Sequence, residues 1–233
     1  MVAEWKVDAE IEVSLWAGIR ADAVRVAGEA GGGRMLDLGG AAGSFTHYIS
    51  SKVPGYSCVS IDIVRPNVEP VCDFVAGDAL RLPFKDSSFQ VVAARAVLHH
   101  FPGSLDVSMA ELGRVLAPGG RLIVEEPCSG NPLAALARKV FPTDRHDPGE
   151  KPVAVAVMAE AVMARFEAVE VKHYFLVSYM APHLVSRLPD VMKQLARRLG
   201  MTIYMADRRL MSSSALARRA AAYIHISGMK GKK

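Results

Sequence analysis

Five short apolar runs separated by stretches of helical character constrain this chain more than any other feature. The runs are 34–38 "RMLDL", 56–63 "YSCVSIDI", 72–75 "CDFV", 89–94 "FQVVAA" and 121–125 "RLIVE". They are apolar along most of their length, as strands buried on both faces are. Residues 43–52 and 104–117 between them read as helices, with breaks at Pro54-Gly55 and Pro118-Gly119-Gly120. Strands alternating with helices in this way make a parallel sheet covered on both faces, joined by right-handed crossovers. This part of the chain is α/β.

Around this core the pattern is helical. Residues 9–29 place Ile11, Leu15, Ile19, Val24 and Val26 at helical spacing and stop at "GEAGGG". After Pro127, residues 131–140 and 153–166 read as helices on either side of a breaker-rich stretch, "FPTDRHDPGEKP". Residues 168–177 read as a strand, 182–199 and 203–219 as two helices, and "AAYIHI" as a last strand. A length of 233 residues suits one domain with its own core.

Charge and cysteine content narrow the setting. Cys58, Cys72 and Cys128 have no paired spacing and read as small buried hydrophobes in a reducing compartment. There is no 18-residue apolar run for a membrane span, and the first residues, "MVAEWKVDAEIEV", carry acids where a signal peptide needs bases. A cytoplasmic location is the expectation. The net charge of +4 hides an asymmetry. Residues 1–180 hold 17 Lys and Arg against 22 Asp and Glu, whereas residues 181–233 hold 11 against 2.

The stretch "LDLGGAAG", from Leu36 to Gly43, marks the expected ligand site, because open α/β sheets bind ligands outside the carboxyl ends of their strands. A dinucleotide fingerprint does not fit. Counting GxGxxG from Gly39 puts Ala41 and Ser44 at the later glycine positions, and Asp37 would repel a pyrophosphate. A nucleoside ligand with positive charge and no phosphate fits better, and S-adenosylmethionine is such a ligand. Asp62 closes the second strand 25 residues after Asp37, where a carboxylate accepts hydrogen bonds from ribose hydroxyls. Asp78, after the third strand, is placed to accept from an adenine amino group.

The order "LDLGGAAG", "SIDI", "AGDALRLPFKDSSFQVV", "LHHF", "ELGRVLAPGGRLIVEEP" resembles the small-molecule class I S-adenosylmethionine-dependent methyltransferases, including the UbiE-like members known as methyltransferase type 11. The resemblance covers residues 33–127. It implies a Rossmann-like, doubly wound, seven-stranded sheet of order 3-2-1-4-5-7-6, mostly parallel with strand 7 antiparallel. It also implies a cofactor lying across the ends of strands one, two and four. By position, Asp37, Gly39, Gly40 and Gly43 shape the methionine pocket, Asp62 holds the ribose and Ile63 packs on the adenine. Asp78 and Ala79 then meet the adenine edge, and Arg95 lies near the methionine portion. Ala41 stands where the family usually has glycine, and Gln90 where it has aspartate.

Candidate catalytic residues are His99 and His100, which follow the fourth strand, and His146 in the stretch 144–152. A histidine there suits a general base, because its pKa lies near neutrality; its other role in the family is to support the loop. The stretch 144–152 reads either as an acceptor-binding lid or as a solvated linker. The irregular spacing of His146, Asp147 and Glu150 makes a poor metal site, so no metal is expected. Of Glu125 and Glu126, only one can face a pocket from a strand.

The expected layout is one methyltransferase domain over 1–233, with an N-terminal helical segment at 1–30 and helical cap insertions at 128–166 and 180–219. No "NPPY"-type tetrapeptide follows the fourth strand, which favours a small, apolar or aromatic acceptor over a nucleobase or a glutamine amide. Two other functions compete with it. One is an RNA methyltransferase using the basic C-terminal region; the other is a non-catalytic S-adenosylmethionine-binding protein. In the C-terminal region, Leu184, Leu188, Val191, Met192, Leu195, Leu199, Ile203, Met205, Leu210 and Met211 recur at helical spacing, predicting a face turned to the sheet or the pocket. Aromatics able to stack on bases are sparse there, chiefly Tyr179 and Tyr204, so nucleic acid is disfavoured as a partner. Oligomeric state is not legible.

Overall fold

A computed structural model describes residues 8–140 and 152–232. In chain order the elements are α1 (Ala9–Ala30), β1 (Gly33–Leu38), α2 (Ser44–Lys52), β2 (Tyr56–Asp62), β3 (Asp73–Ala76), β4 (Phe89–Arg95), α3 (Leu105–Val115), β5 (Leu116–Pro127), α4 (Pro132–Val140), α5 (Val155–Met163), β6 (Glu167–Tyr174), α6 (Ala181–Val185), α7 (Asp190–Ser213), α8 (Ala215–Arg219) and β7 (Tyr223–Met229). The strands form one seven-stranded sheet in the order β3-β2-β1-β4-β5-β7-β6, as the resemblance implies. The pairs β1–β2, β1–β4, β2–β3 and β4–β5 are parallel. Next to β5 the direction reverses. Gly119 N–H donates to Lys230 O at 2.9 Å, Lys230 N–H donates to Gly120 O at 3.0 Å, and Cys128 N–H donates to Ala222 O at 2.9 Å. Partner numbers that fall as residue numbers rise make β7 antiparallel. The chain winds outward in both directions from β1 and β4, so their carboxyl ends form the switch point where such sheets hold ligands.

The chain divides into two compact units. One comprises Arg20–Glu126, Ala156–Lys172 and His225–Lys233; the other comprises Met1–Ile19, Pro127–Val155 and His173–Ile224. In the first, Ala23, Val26 and Ala27 of α1 pack with Phe45 and Ile49 of α2 onto Met35, Val91, Ala93 and Ile123 of the sheet. Arg114 of α3 fastens the loop after β3. Its guanidinium donates to Leu82 O at 2.9 Å, Phe84 O at 2.7 Å and Asp86 Oδ1 at 2.8 Å, while Glu111 grips it from one turn earlier.

The second unit is helical and has two polar organisers. Asp8 caps α1 by accepting from Ile11 N–H at 3.2 Å, and the Arg197 guanidinium bonds both Asp8 oxygens at 3.0 and 2.9 Å. The Arg197 hydrogen bonds hold the Asp8 carboxyl below the usual carboxylate range. Asp207, buried in α7, accepts from Leu176 N–H, Ser178 N–H and the Ser178 hydroxyl at 2.6–2.8 Å. Around them Ile11, Leu15, Ile19, Tyr174, Phe175 and Tyr204 form one apolar cluster.

Several sequence expectations are corrected here. Residues 182–199 and 203–219 are not two helices: α7 runs unbroken through Gly200. That glycine is a contact and not a stop, since a Cβ on it would run into Ile11 Cδ1. The strand read at 121–125 begins at Leu116, because the Pro118-Gly119-Gly120 segment bulges between the Phe89↔Leu116 and Val91↔Arg121 pairs without leaving the ladder. The strand read at 168–177 ends at Tyr174, where Phe175 turns to a φ of 58°. Leu184, Val191, Met192, Leu195, Leu199, Ile203, Met205 and Leu210, read from the sequence as turned to the sheet or the pocket, are exposed. The buried residues of α7 are Gly200, Tyr204, Asp207 and Met211. Residues 156–166 lie in the sheet-containing unit. Among the described residues, no helix is long and apolar enough to cross a membrane.

Because Asp207 satisfies three donors at once, Asp207→Ala leaves two backbone N–H groups without their acceptor and should lower stability by about 2–4 kcal/mol. Asp207→Asn, which keeps one acceptor oxygen, should lose less. Urea midpoints of the two variants check this ordering.

Candidate functional site

The switch point gathers acids. Asp37, near the end of β1, is 1% exposed, and its Oδ2 accepts from Thr46 N–H at 3.2 Å and from Thr46 Oγ1–H at 3.1 Å in α2. Burial pushes its carboxyl up to about 6, against the Thr46 bonds and the nearby Arg95 charge, with Asp62 adding to the rise. The glycines that follow make room for this carboxylate. A Cβ on Gly40 would collide with the Asp37 side chain, and one on Gly39, whose φ is 62°, would strike Val97. Gly43 N–H donates back to Gly40 O at 2.7 Å, closing the turn that starts α2. Ala41 adopts a φ of 45°, a left-handed conformation that glycine takes without strain.

Asp62 ends β2. Its Oδ2 accepts from Ala41 N–H at 3.1 Å and its Oδ1 from Ile63 N–H at 2.8 Å. It therefore ties the two loops of the site together, and each oxygen still has a lone pair for a ligand hydroxyl. Ile63 beside it is 77% exposed, an apolar surface with no protein cover. Asp78 turns its own loop by accepting from Leu80 N–H at 2.8 Å, with Ala79 between them. Gln90, at the unusual position, accepts from Arg34 N–H at 2.8 Å on β1 and serves the sheet. Burial pushes the Cys72 thiol up to about 11, so it is a neutral group and not a nucleophile.

The ends of β4 and β5 add the remaining groups. Arg95 lies 5.0 Å over the Phe45 ring, with its Nε 3.6 Å from Glu125 Oε2. Glu125 and Glu126 turn to opposite faces of β5, and both are buried. Glu125 faces His225 of β7 at 3.3 Å. Glu126, read from the sequence only as one of two acids able to face a pocket, organises the loop after β4. Its Oε1 accepts from Val97 N–H and Leu98 N–H at 2.8 Å each, and its Oε2 lies 2.7 Å from His99 Nδ1. With a carboxylate as its partner, Nδ1 is the nitrogen that carries a proton. His99 is buried; His100 stacks on it at 4.4 Å and is exposed. The two candidates are thus told apart by burial. His146, with the rest of the proposed lid through Lys151, lies outside the described residues.

Asp37, Gly39, Gly40, Gly43, Asp62, Ile63, Asp78, Ala79, Arg95, His99 and His100 all belong to the sheet-containing unit, on the loops that follow β1, β2, β3 and β4 or at their ends. Five carboxylates against one guanidinium leave the site net negative, which suits a cationic ligand and opposes a pyrophosphate.

Residues 36–124 match the family model described as a methyltransferase domain. A demethylmenaquinone methyltransferase from Beutenbergia cavernae is 38% identical over 118 residues, covering 48% of this chain and 47% of that protein. A phthiotriol/phenolphthiotriol dimycocerosates methyltransferase from Mycobacterium ulcerans is 32% identical over 114 residues, covering 46% of this chain and 42% of that one. The chain therefore spans less than half the length of these two relatives. Among solved structures, a SAM-dependent methyltransferase from Archaeoglobus fulgidus superposes with a TM-score of 0.60 at 17% identity, over 94% of this chain and 97% of that one. The structural likeness carries the fold alone, and the matched sequence carries the family. Residues 36–124 therefore carry a methyltransferase domain, in a chain that shares the fold of a SAM-dependent methyltransferase structure.

Proposed function

We propose that this chain transfers a methyl group from S-adenosylmethionine to a small, apolar or aromatic acceptor. The observation that carries the reading is the buried Asp37 carboxylate, held against Gly40 at the switch point where a phosphate-bearing cofactor would need a neutral or positive turn. The residues present fit the cofactor. Asp62 has acceptor capacity for ribose hydroxyls, Ile63 is an open apolar platform for adenine, and Asp78 stands at its edge. Asp37 and the glycine turn answer the charge of the methionine portion. When bound, S-adenosylmethionine supplies a methyl group on a positively charged sulfur, an excellent leaving group.

The protein's remaining work is to align the acceptor, exclude water and take up a proton where the acceptor must lose one. We assign that proton to His99 Nε2, with Glu126 as the positioning residue that holds the ring and its tautomer. A small acceptor is supported by the names of the relatives, which specify demethylmenaquinone and phthiotriol dimycocerosates. It is also supported by Tyr179 and Tyr204, which pack into the apolar cluster of the helical unit and offer no surface for base stacking. His100 and His146 are given no role in the step.

Asp37 generates a pH prediction. Its raised pKa means that the free protein gains a proton there as pH falls through about 6, which removes the charge that a cationic cofactor meets. S-adenosylmethionine affinity should be flat above about pH 7 and fall below pH 6, by at most about tenfold per pH unit. Asp37→Asn should bind weakly and without this dependence. Calorimetric titrations at several pH values check the slope.

Activity is tested by incubating the protein with methyl-labelled S-adenosylmethionine and a cell extract split into organic-soluble and RNA fractions. Label in the organic fraction is expected, with kcat about 100-fold lower in His99→Ala and cofactor affinity unchanged. Label in RNA, or tight cofactor binding with no transfer to any fraction, would replace this reading with one of its two competitors.

A further inference from the structure

The longest helix carries two apolar faces where a surface helix needs one. On α7, Gly200, Tyr204, Asp207 and Met211 turn into the helical unit. A second row, Met192, Leu195, Leu199, Ile203, Ala206 and Leu210, follows the 3,4 spacing of a single helix face. The row is about 27 Å long. All six residues are exposed, Leu195 at 63% and Leu199 at 56%. Soluble proteins rarely leave so continuous an apolar row uncovered.

Charge on the flank decides what covers it. At 100° per residue the row lies between the buried face and a flank carrying Arg198 and Arg209. Both are exposed, and among the described residues neither pairs with a carboxylate. The two acids of α7 are already engaged. Asp190 bonds Lys193 at 2.7 Å, and Asp207 is buried. A second copy of this helix is a poor partner. In an antiparallel pair about a two-fold axis equivalent flanks face each other, so the arginine-bearing flank of one copy would lie along that of the other. RNA would use the arginines but would leave the apolar row in water.

We infer that this face of α7 docks on an anionic phospholipid surface. Its leucines, Met192 and Ile203 enter the boundary between headgroups and acyl chains, while Arg198 and Arg209 reach out to lipid phosphates. The helix would then lie along the interface, which requires no membrane-spanning segment. Such docking would bring the protein to the phase where an apolar acceptor partitions. It goes beyond the methyl-transfer reading and is measured without it.

The test is co-sedimentation of the full chain with vesicles of phosphatidylglycerol or of phosphatidylcholine. Pelleting with phosphatidylglycerol is expected, weakening as salt rises, with little on phosphatidylcholine. Leu195→Gln with Leu199→Gln should reduce it at least about tenfold, since exposed positions tolerate the change and the apolar anchor is lost. Arg198→Ser with Arg209→Ser should reduce the preference for the anionic vesicle. Both variants should keep the parent's circular dichroism and S-adenosylmethionine affinity, which separates this result from any failure of the cofactor reading. Three outcomes overturn the inference: no pelleting with either vesicle, pelleting that the leucine variant leaves unchanged, or a dimer in sedimentation velocity that the leucine variant dissolves. RNA binding that survives physiological salt and needs Arg198 and Arg209 but not the leucines would also overturn it.

Discussion

A buried carboxylate at the strand switch point is the constraint on which the rest of the site depends. Asp37 sits where burial raises its pKa to about 6, so its charge carries a desolvation penalty at neutral pH. The sign follows from that shift: the stability associated with its protonated form is present at low pH and lost as pH rises from the ordinary carboxylate range through about 6. The protein tolerates this by giving Asp37 two hydrogen bonds from Thr46, and by placing a glycine where any side chain would collide with it. A ligand with a positive charge recovers part of that penalty on binding. A ligand with phosphates adds to it.

The second organising feature is economy in the use of carboxylates as loop ties. Asp62 joins the loops after β1 and β2, Glu126 fastens the loop after β4 and aims His99, and Glu111 with Arg114 holds the loop after β3. Each of these acids shapes the backbone of a loop that follows a strand of the sheet. The Asp62 oxygens take one backbone N–H each and retain a lone pair.

Much of this was legible in the sequence, and the exceptions have physical causes. The sheet was readable because buried parallel strands leave contiguous apolar runs, and the order 3-2-1-4-5-7-6 came with the family resemblance. Glu126 was hidden because its role depends on β4 and β5 being neighbours, a contact across 27 residues or more. Gly200 misled because a glycine needed for close packing and one that ends a helix look alike in sequence. The apolar row of α7 misled for a related reason. Helical spacing reports that a helix has apolar faces but not which of them is covered, and here the buried one is the shorter set around Tyr204 and Asp207. His146 and its neighbours, read as lid or linker, lie outside the described residues.

An acidic switch point suits a cationic, phosphate-free nucleoside and repels a dinucleotide. The most direct measurement of this is a pair of calorimetric titrations of the unmodified protein at neutral pH, one with S-adenosylmethionine and one with NAD. The account predicts saturable binding of S-adenosylmethionine and no saturable heat with NAD. Tight NAD binding, or S-adenosylmethionine binding that is unchanged in Asp62→Ala, would contradict it.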